Sequence, residues 1–307
     1  MTFTPVWGTE IAWYLFLAGL GAGAYAFSVF VQHFYPEAVK TRKFARFAAP
    51  IVVIVGLVLL MVDARAGFTH PLRFALLLHN PGSVMTWGVI FLAAFIVVSL
   101  LAALLEILKK PVWNWLNVVA VALSFCVAGY TGVLLGVLNA FPLWNNGVLP
   151  VLFVVSAFST GAALVMLGAQ IFEPELAEGM VTLKRVHWGI ALAEVVLVAA
   201  LLFVTAYANA VTNATVMNIV AGGFAPLFWI GFIGIGLLFP IATEGFELFG
   251  KRTLRAPMVG GGYAEVQVSG AVGSRVLAIV TEAAVLVGGF LLRYIVVLAA
   301  LPVAFVG

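Results

Sequence analysis

Fifteen Lys and Arg, twelve Asp and Glu and four His are all the chargeable side chains among 307 residues, so their positions carry information. The densest polar stretch runs from Asp63 to Gly88. Asp63, Arg65, His70, Arg73, His79, Asn80, Ser83 and Thr86 lie there between two long apolar runs. Pro71, Pro81 and Gly82 punctuate it, which predicts a structured loop. Carboxylate, imidazole and guanidinium groups side by side suit proton transfer and the docking of an acidic partner surface. The plainer alternative is a solvated connection.

Other candidates lie at the ends of, or inside, apolar runs. Glu10 opens the first run, and Tyr14 follows one turn later on the same helical face. Asp63 closes the second run at that same side. Tyr130 and Thr131 interrupt a later run as GYTGVLLG. Glu194, Glu282 and Arg293 fall within runs, where ionisable groups are costly and usually functional. Glu194 sits about 12 Å from the inner surface at the helical rise. Glu282 and Arg293 are eleven residues apart, close to a whole number of turns, and so share a face. His187, two turns before Glu194, would be an inner entrance to such a polar line. Buried ion pairing is the structural alternative for all of them. Two of the four histidines, His33 and His187, fall at inner helix ends, where a single bis-His haem site is conceivable. The expectation is no haem, and the lone Cys126 excludes a cysteine-held iron–sulfur cluster or an internal disulfide.

The elements that must position these residues are membrane helices. The chain is 64% hydrophobic and 9% charged, against roughly 45–50% and about 25% in ordinary soluble domains. Eight runs reach the roughly 20 residues that cross a bilayer: 10–33, 44–64, 84–107, 112–138, 147–172, 186–207, 215–241 and 273–301. The expected fold is all-α, a polytopic membrane protein whose eight transmembrane helices form two four-helix bundles, 1–140 and 141–307. Gly19 and Gly23 in the first run, and Ser156, Ser159 and Gly161 in the fifth, offer small-residue faces for close helix approach. Trp144 is placed as an interfacial aromatic anchor. Residues 251–274 read as a loop with a short hairpin as the alternative. The N-terminus lacks the basic region of a cleaved signal peptide.

Positive charge is strongly asymmetric. Lys40, Arg42, Lys43, Arg46, Lys109, Lys110, Lys184, Arg185, Lys251, Arg252, Arg255 and Arg275 fall on one side, and only Arg65 and Arg73 on the other. Twelve against two puts both termini and the 63–88 loop outside, in a bacterium the periplasm. The net charge of +3 therefore reports topology, and nucleic acid is not an expected partner.

WGTEIAWYLFLAGLGAGAYAF resembles the first helix of the NrfD/polysulfide reductase membrane-subunit family. The resemblance continues through Asp63, PLRF (71–74), NPGSVMTWG (80–88), YTGVLL (130–135), PLWN (142–145) and LPVLFVVSAFSTGAA (149–163). It implies a subunit without haem that exchanges electrons between membrane quinone, menaquinone or ubiquinone, and an iron–sulfur partner, with a molybdenum or tungsten catalytic subunit beyond. By motif, the quinone-site positions fall on Glu10, Tyr14, Asp63 and Tyr130. Some members carry Asn or His on the first helix where this chain has Glu and Tyr. Arg65, His70, Arg73 and His79 are the expected docking residues, and Glu194, Glu282, Arg293 and His187 the expected proton-transfer residues, with no metal site. A quinone needs an apolar slot, a donor for each carbonyl and acid–base groups for its protons, which these residues supply. The competing readings are a secondary transporter or proton channel lined by Glu194, Glu282 and Arg293, and a scaffold that only anchors a soluble complex. Anchoring alone needs no carboxylates at helix ends.

Overall fold

The structure is a computed structural model that describes residues 7–63, 80–257, 263–269 and 275–302, with backbone only for Asp63 and the two strands. The docking residues Arg65, His70, Arg73 and His79 lie outside the described residues. The elements are α1 (Thr9–Phe34), α2 (Val39–Asp63), α3 (Val84–Ile107), α4 (Asn114–Gly136), α5 (Val148–Phe172), the short α6 (Pro174–Gly179), α7 (Val181–Ala208) and α8 (Ala210–Val220). A π-helical segment, Leu227–Leu238, then runs into α9 (Phe239–Phe249), and α10 spans Arg275–Leu298. Among the described residues, eight helical segments are long and apolar enough to cross a membrane, and the chain is a multi-pass, all-α membrane protein.

Between α9 and α10, β1 (Lys251–Pro257) pairs antiparallel with β2 (Tyr263–Ser269), Lys251 opposite Ser269. The loop expected there is thus a hairpin, built on the alternation of Tyr263, Glu265 and Gln267. Successive crossings put Glu10, Asp63 and Tyr130 toward one end of the molecule, and the hairpin at the other.

α1 is the central helix, packing against α2, α4, α5 and α10. Its Ala and Gly residues make this possible. Gly23 faces Gly161 of α5 so closely that a Cβ on either would strike the other helix's backbone. At Gly19 a Cβ would stand 3.1 Å from the Ala157 Cβ. In lipid, where apolar burial between helices gains little, such approach lets dispersion hold the pair.

Two features depart from the sequence expectation. The seventh crossing is Leu227–Phe249, not 215–241. Asn209 caps α8 with a reciprocal Asn209–Thr212 capping box, and Gly222, Gly223 and Pro226 separate that short helix from the crossing. The unbroken apolar composition hid the break. Trp144 is 1% exposed, packed inside the bundle and not on its outer face. Its Nε1 donates to the Val296 carbonyl at 2.7 Å, and its ring stacks on Trp7 and Phe141.

Candidate functional site

Tyr14 of α1 and Tyr130 of α4 meet near the Glu10 end of the bundle, phenol beside phenol. Tyr14 is fully buried and Tyr130 nearly so. The Tyr130 ring occupies the space that a Cβ on Gly88 of α3 would fill. Glycine is required there by close approach, and the residue at 88 sets where the phenol stands. The Tyr14 hydroxyl has the Tyr130 phenol as its polar neighbour and no other hydrogen-bond partner among the described residues, so the pair keeps capacity to bond a third group. A polar ligand with acceptor oxygens would use it. Glu10 is exposed in the first turn of α1, its carboxylate folded over Gly8. It therefore differs in burial from Tyr14. Asp63 is the last residue of α2, at the same end.

The described part of the polar stretch is ordered by its own side chains. Gly82 N donates to Asn80 Oδ1 at 3.1 Å, Thr86 Oγ1 to the Asn80 carbonyl at 2.7 Å, and Trp87 Nε1 to the Pro81 carbonyl at 3.1 Å. Residues 80–88 are thus a structured turn leading into α3, as Pro81 and Gly82 predict.

The intramembrane residues singled out by the sequence, Glu194, Arg293, His187 and Glu282, fall into two clusters. Arg293, fully buried, donates from Nη1 to Ser156 Oγ at 2.6 Å and to the Gly289 carbonyl at 2.8 Å, and from Nη2 to the Phe153 carbonyl at 3.4 Å. Its guanidinium carbon lies 5.3 Å from the Phe153 ring centroid. Ser156 and Ser159 also face the Glu194 carboxyl, and Arg293 is its nearby countercharge. The countercharge of Arg293 comes from α7, and its hydrogen-bond partners from α5 and, at Gly289, from α10 itself. The second cluster joins His187 of α7, Glu244 of α9 and Glu282 of α10, all buried, with one ligand-capable atom from each within 4.8 Å of the others. His187 Nδ1 and Glu244 Oε1 are 2.8 Å apart. One turn nearer the hairpin, Lys184 Nζ pairs with Glu247 Oε2 at 2.9 Å. The eleven-residue spacing of Glu282 and Arg293 does put both inside the bundle, but each has its own partners.

Sequence comparison places the chain in a family. The profile of the family described as "Polysulphide reductase, NrfD" matches residues 1–255. The chain belongs to the NrfD family. It is 33% identical to a chain of the polysulfide reductase of Wolinella succinogenes over 270 residues, 78% of this chain and 83% of that one. To NrfD of Escherichia coli it is 30% identical over 275 residues, 78% of this chain and 84% of that one. A selenate reductase subunit of Mesobacillus selenatarsenatis is 25% identical over 303 residues, 83% of this chain and 70% of the relative.

In this family member two polar features escape a sequence reading. Glu244 lay beyond the expected end of the seventh crossing, and the shift of that crossing buries it at 4% exposure. The other is a network in the first half of the chain. Arg46, counted by charge as a residue of the inner connection, is 1% exposed inside α2. It pairs with Glu106 of α3 and with Gln32 of α1, and donates to Asn117 Oδ1 of α4 at 3.2 Å. Arg42 also reaches Glu106 at 2.8 Å, and Tyr25 donates to Asn117 Oδ1 at 3.4 Å. The spacing of Arg42 and Arg46, one helical turn, was the available signal. Outside the spans, Glu173 accepts from Lys40 N at 3.0 Å and from Thr41 N at 2.8 Å and Oγ1 at 2.7 Å. Burial disfavours its charge, but these hydrogen bonds outweigh that and hold its carboxyl below the usual range.

Proposed function

We propose that the chain is the membrane-anchoring, quinone-reactive subunit of a bacterial respiratory oxidoreductase, exchanging electrons between menaquinone or ubiquinone and an iron–sulfur partner. The observation that carries this reading is the buried Tyr14–Tyr130 pair, two phenols side by side at one end of an apolar bundle. Two phenols at one end of an apolar bundle can hydrogen-bond a quinone carbonyl. The Glu10 and Asp63 carboxylates at that end can take the two protons released when quinol yields two electrons. Membership of the NrfD family supports the reading, as do relatives named as components of polysulfide and selenate reductases.

The partner set that follows is an iron–sulfur subunit docked over 63–88, where Arg65, His70, Arg73 and His79 fall, and a molybdenum or tungsten subunit beyond it. The charge asymmetry supports placing that surface and both termini in the periplasm, on a protein of the cytoplasmic membrane. Proton movement across the membrane is part of the proposal: Glu194 with Arg293, and His187 with Glu282, lie on the way from the hairpin end to the tyrosines.

The deciding experiment is a quinone-analogue titration of the isolated complex, with Tyr14→Phe and Tyr130→Phe alongside wild type. Each variant is expected to weaken analogue binding about tenfold, the value of one lost hydrogen bond to a buried carbonyl. Unchanged affinity in both variants would place the quinone elsewhere.

A further inference from the structure

The His187–Glu244–Glu282 cluster has a feature that neither quinone exchange nor electron transfer requires. Three helices that are distant in sequence each bring one ligand-type side chain to a common point, fully enclosed. His187 Nδ1 and Glu244 Oε1 are paired with each other at 2.8 Å. His187 Nε2 and Glu282 Oε2 are buried without a hydrogen-bond partner among the described residues. Buried polar atoms are nearly always satisfied, so a ring nitrogen and a carboxylate oxygen left over in one cluster call for a species that accepts lone pairs.

The nearest protein cation does not meet that need. Lys184, one turn from His187, is engaged by Glu247, and a protonated His187 would neutralise only one of the two carboxylates, that of Glu244. Arg293 is occupied by Ser156, Gly289 and Phe153. The other carboxylate within electrostatic reach, Glu194, adds negative charge.

We infer that His187, Glu244 and Glu282 form a binding site for a divalent first-row transition metal, for which Zn2+ is the best-matched probe. One imidazole nitrogen and two carboxylate oxygens are a three-ligand set that leaves a fourth tetrahedral position for water. The imidazole disfavours Mg2+ and Ca2+, which take oxygen ligands. A 2+ ion would balance two carboxylates with a neutral imidazole, leaving no net charge inside the membrane. Atoms within 4.8 Å of one another need side-chain shifts of about 1 Å to reach zinc–ligand distances of about 2.0–2.2 Å. The site lies behind the Lys184–Glu247 pair, which would have to open for loading from the hairpin end.

The inference stands apart from the quinone reading, and its test uses a different observable. The detergent-purified complex is stripped with a chelator, equilibrated with ZnCl2, desalted and assayed for zinc by elemental analysis; X-ray absorption then reads the ligands. The expected result is one Zn2+ per chain that is lost in Glu282→Gln and His187→Ala but kept in Glu194→Gln, with a coordination shell of nitrogen and oxygen containing one imidazole. Replacing Zn2+ by Co2+ should give the visible absorption of a four- or five-coordinate site in wild type and not in Glu282→Gln, a conservative variant that leaves side-chain volume unchanged. Zinc content equal in wild type and both triad variants, or a shell without imidazole, would overturn the assignment, and the carboxyls would then be held neutral by protons. Quinone-analogue binding is measured on the same samples, so failure of the metal site and failure of the quinone site are told apart.

Discussion

Tyr130 of α4 packs its ring into the gap left by the missing side chain of Gly88 on α3, and this fit holds its phenol beside that of Tyr14. Gly88→Ala should therefore act on the site from a distance. A methyl group there overlaps the ring, and overpacking of this kind costs about 1–3 kcal/mol. The expected outcome is a folded complex with quinone-analogue affinity reduced about tenfold, matching Tyr130→Phe. Gly88→Ala combined with Tyr130→Ala should restore packing but not affinity. Wild-type affinity in Gly88→Ala would show that the position of Tyr130 does not matter to the ligand.

The Arg46–Glu106 pair makes a stability prediction. Both side chains are buried, and removing one partner from such a pair leaves an uncompensated charge costing about 3–5 kcal/mol. Glu106→Leu should sharply lower the detergent melting temperature. Arg46→Leu with Glu106→Leu should be milder than Glu106→Leu alone, because the buried charge of Arg46 is gone and only the more exposed Arg42 is left without its carboxylate. The measurement is thermal unfolding of the four proteins in one detergent. A double variant as unstable as the sum of the singles would mean that the two residues do not compensate each other.

The crossings were largely legible in the sequence because apolar length is a strong signal, and seven of the eight expected spans overlap their helices closely. The seventh failed because the apolar residues of α8 run on into the next crossing, so hydropathy alone placed it too early and left Glu244 outside. The Tyr14–Tyr130 pairing rests on motif resemblance; spacing cannot show which face of α4 turns toward α1. Helical periodicity set Glu282 and Arg293 on one face, but it says nothing of neighbours. Their partners come from α5, α7 and α9, a tertiary fact. Arg46 shows the converse error: a charge inside a helix read as loop charge, although Glu106 and Gln32 make its burial tolerable.

Glu173 gives a pH-dependent prediction. Its carboxylate ties the start of α2 to the end of α5 through Lys40 N and Thr41. The folded-state carboxyl is held below its ordinary value, so the ionised form is the one that stabilises. That contribution is present at neutral pH, above the unfolded value, and is lost as pH falls through the lowered folded value. Glu173→Gln should thus melt slightly below wild type at pH 7, with the gap closing in acid below about pH 4. Partial exposure limits the effect to about 1 kcal/mol or less. A gap that is constant from pH 7 to pH 3 would remove charge from the explanation.

The last prediction concerns Glu194. Protons released by quinol at the Glu10 end can leave directly to that side, in which case electron transfer moves no charge across the membrane through this subunit. Yet Glu194 is buried midway along α7, among Ser156, Ser159 and Arg293. An ionisable group at that depth costs about 2.5–3.5 kcal/mol on insertion scales when unpaired. The Arg293 guanidinium offsets that cost, and a purely structural pair would need no more. Two serine hydroxyls that can donate or accept in turn also make the surroundings fit for proton passage. The separating experiment is Glu194→Gln in proteoliposomes, with quinone turnover and internal pH followed together. A proton role predicts loss of most internal pH change while quinone-analogue affinity stays at wild type, and Arg293→Lys should retain part of it. A structural role predicts a lower melting temperature with proton movement per turnover unchanged, and that result would end the proton assignment for Glu194.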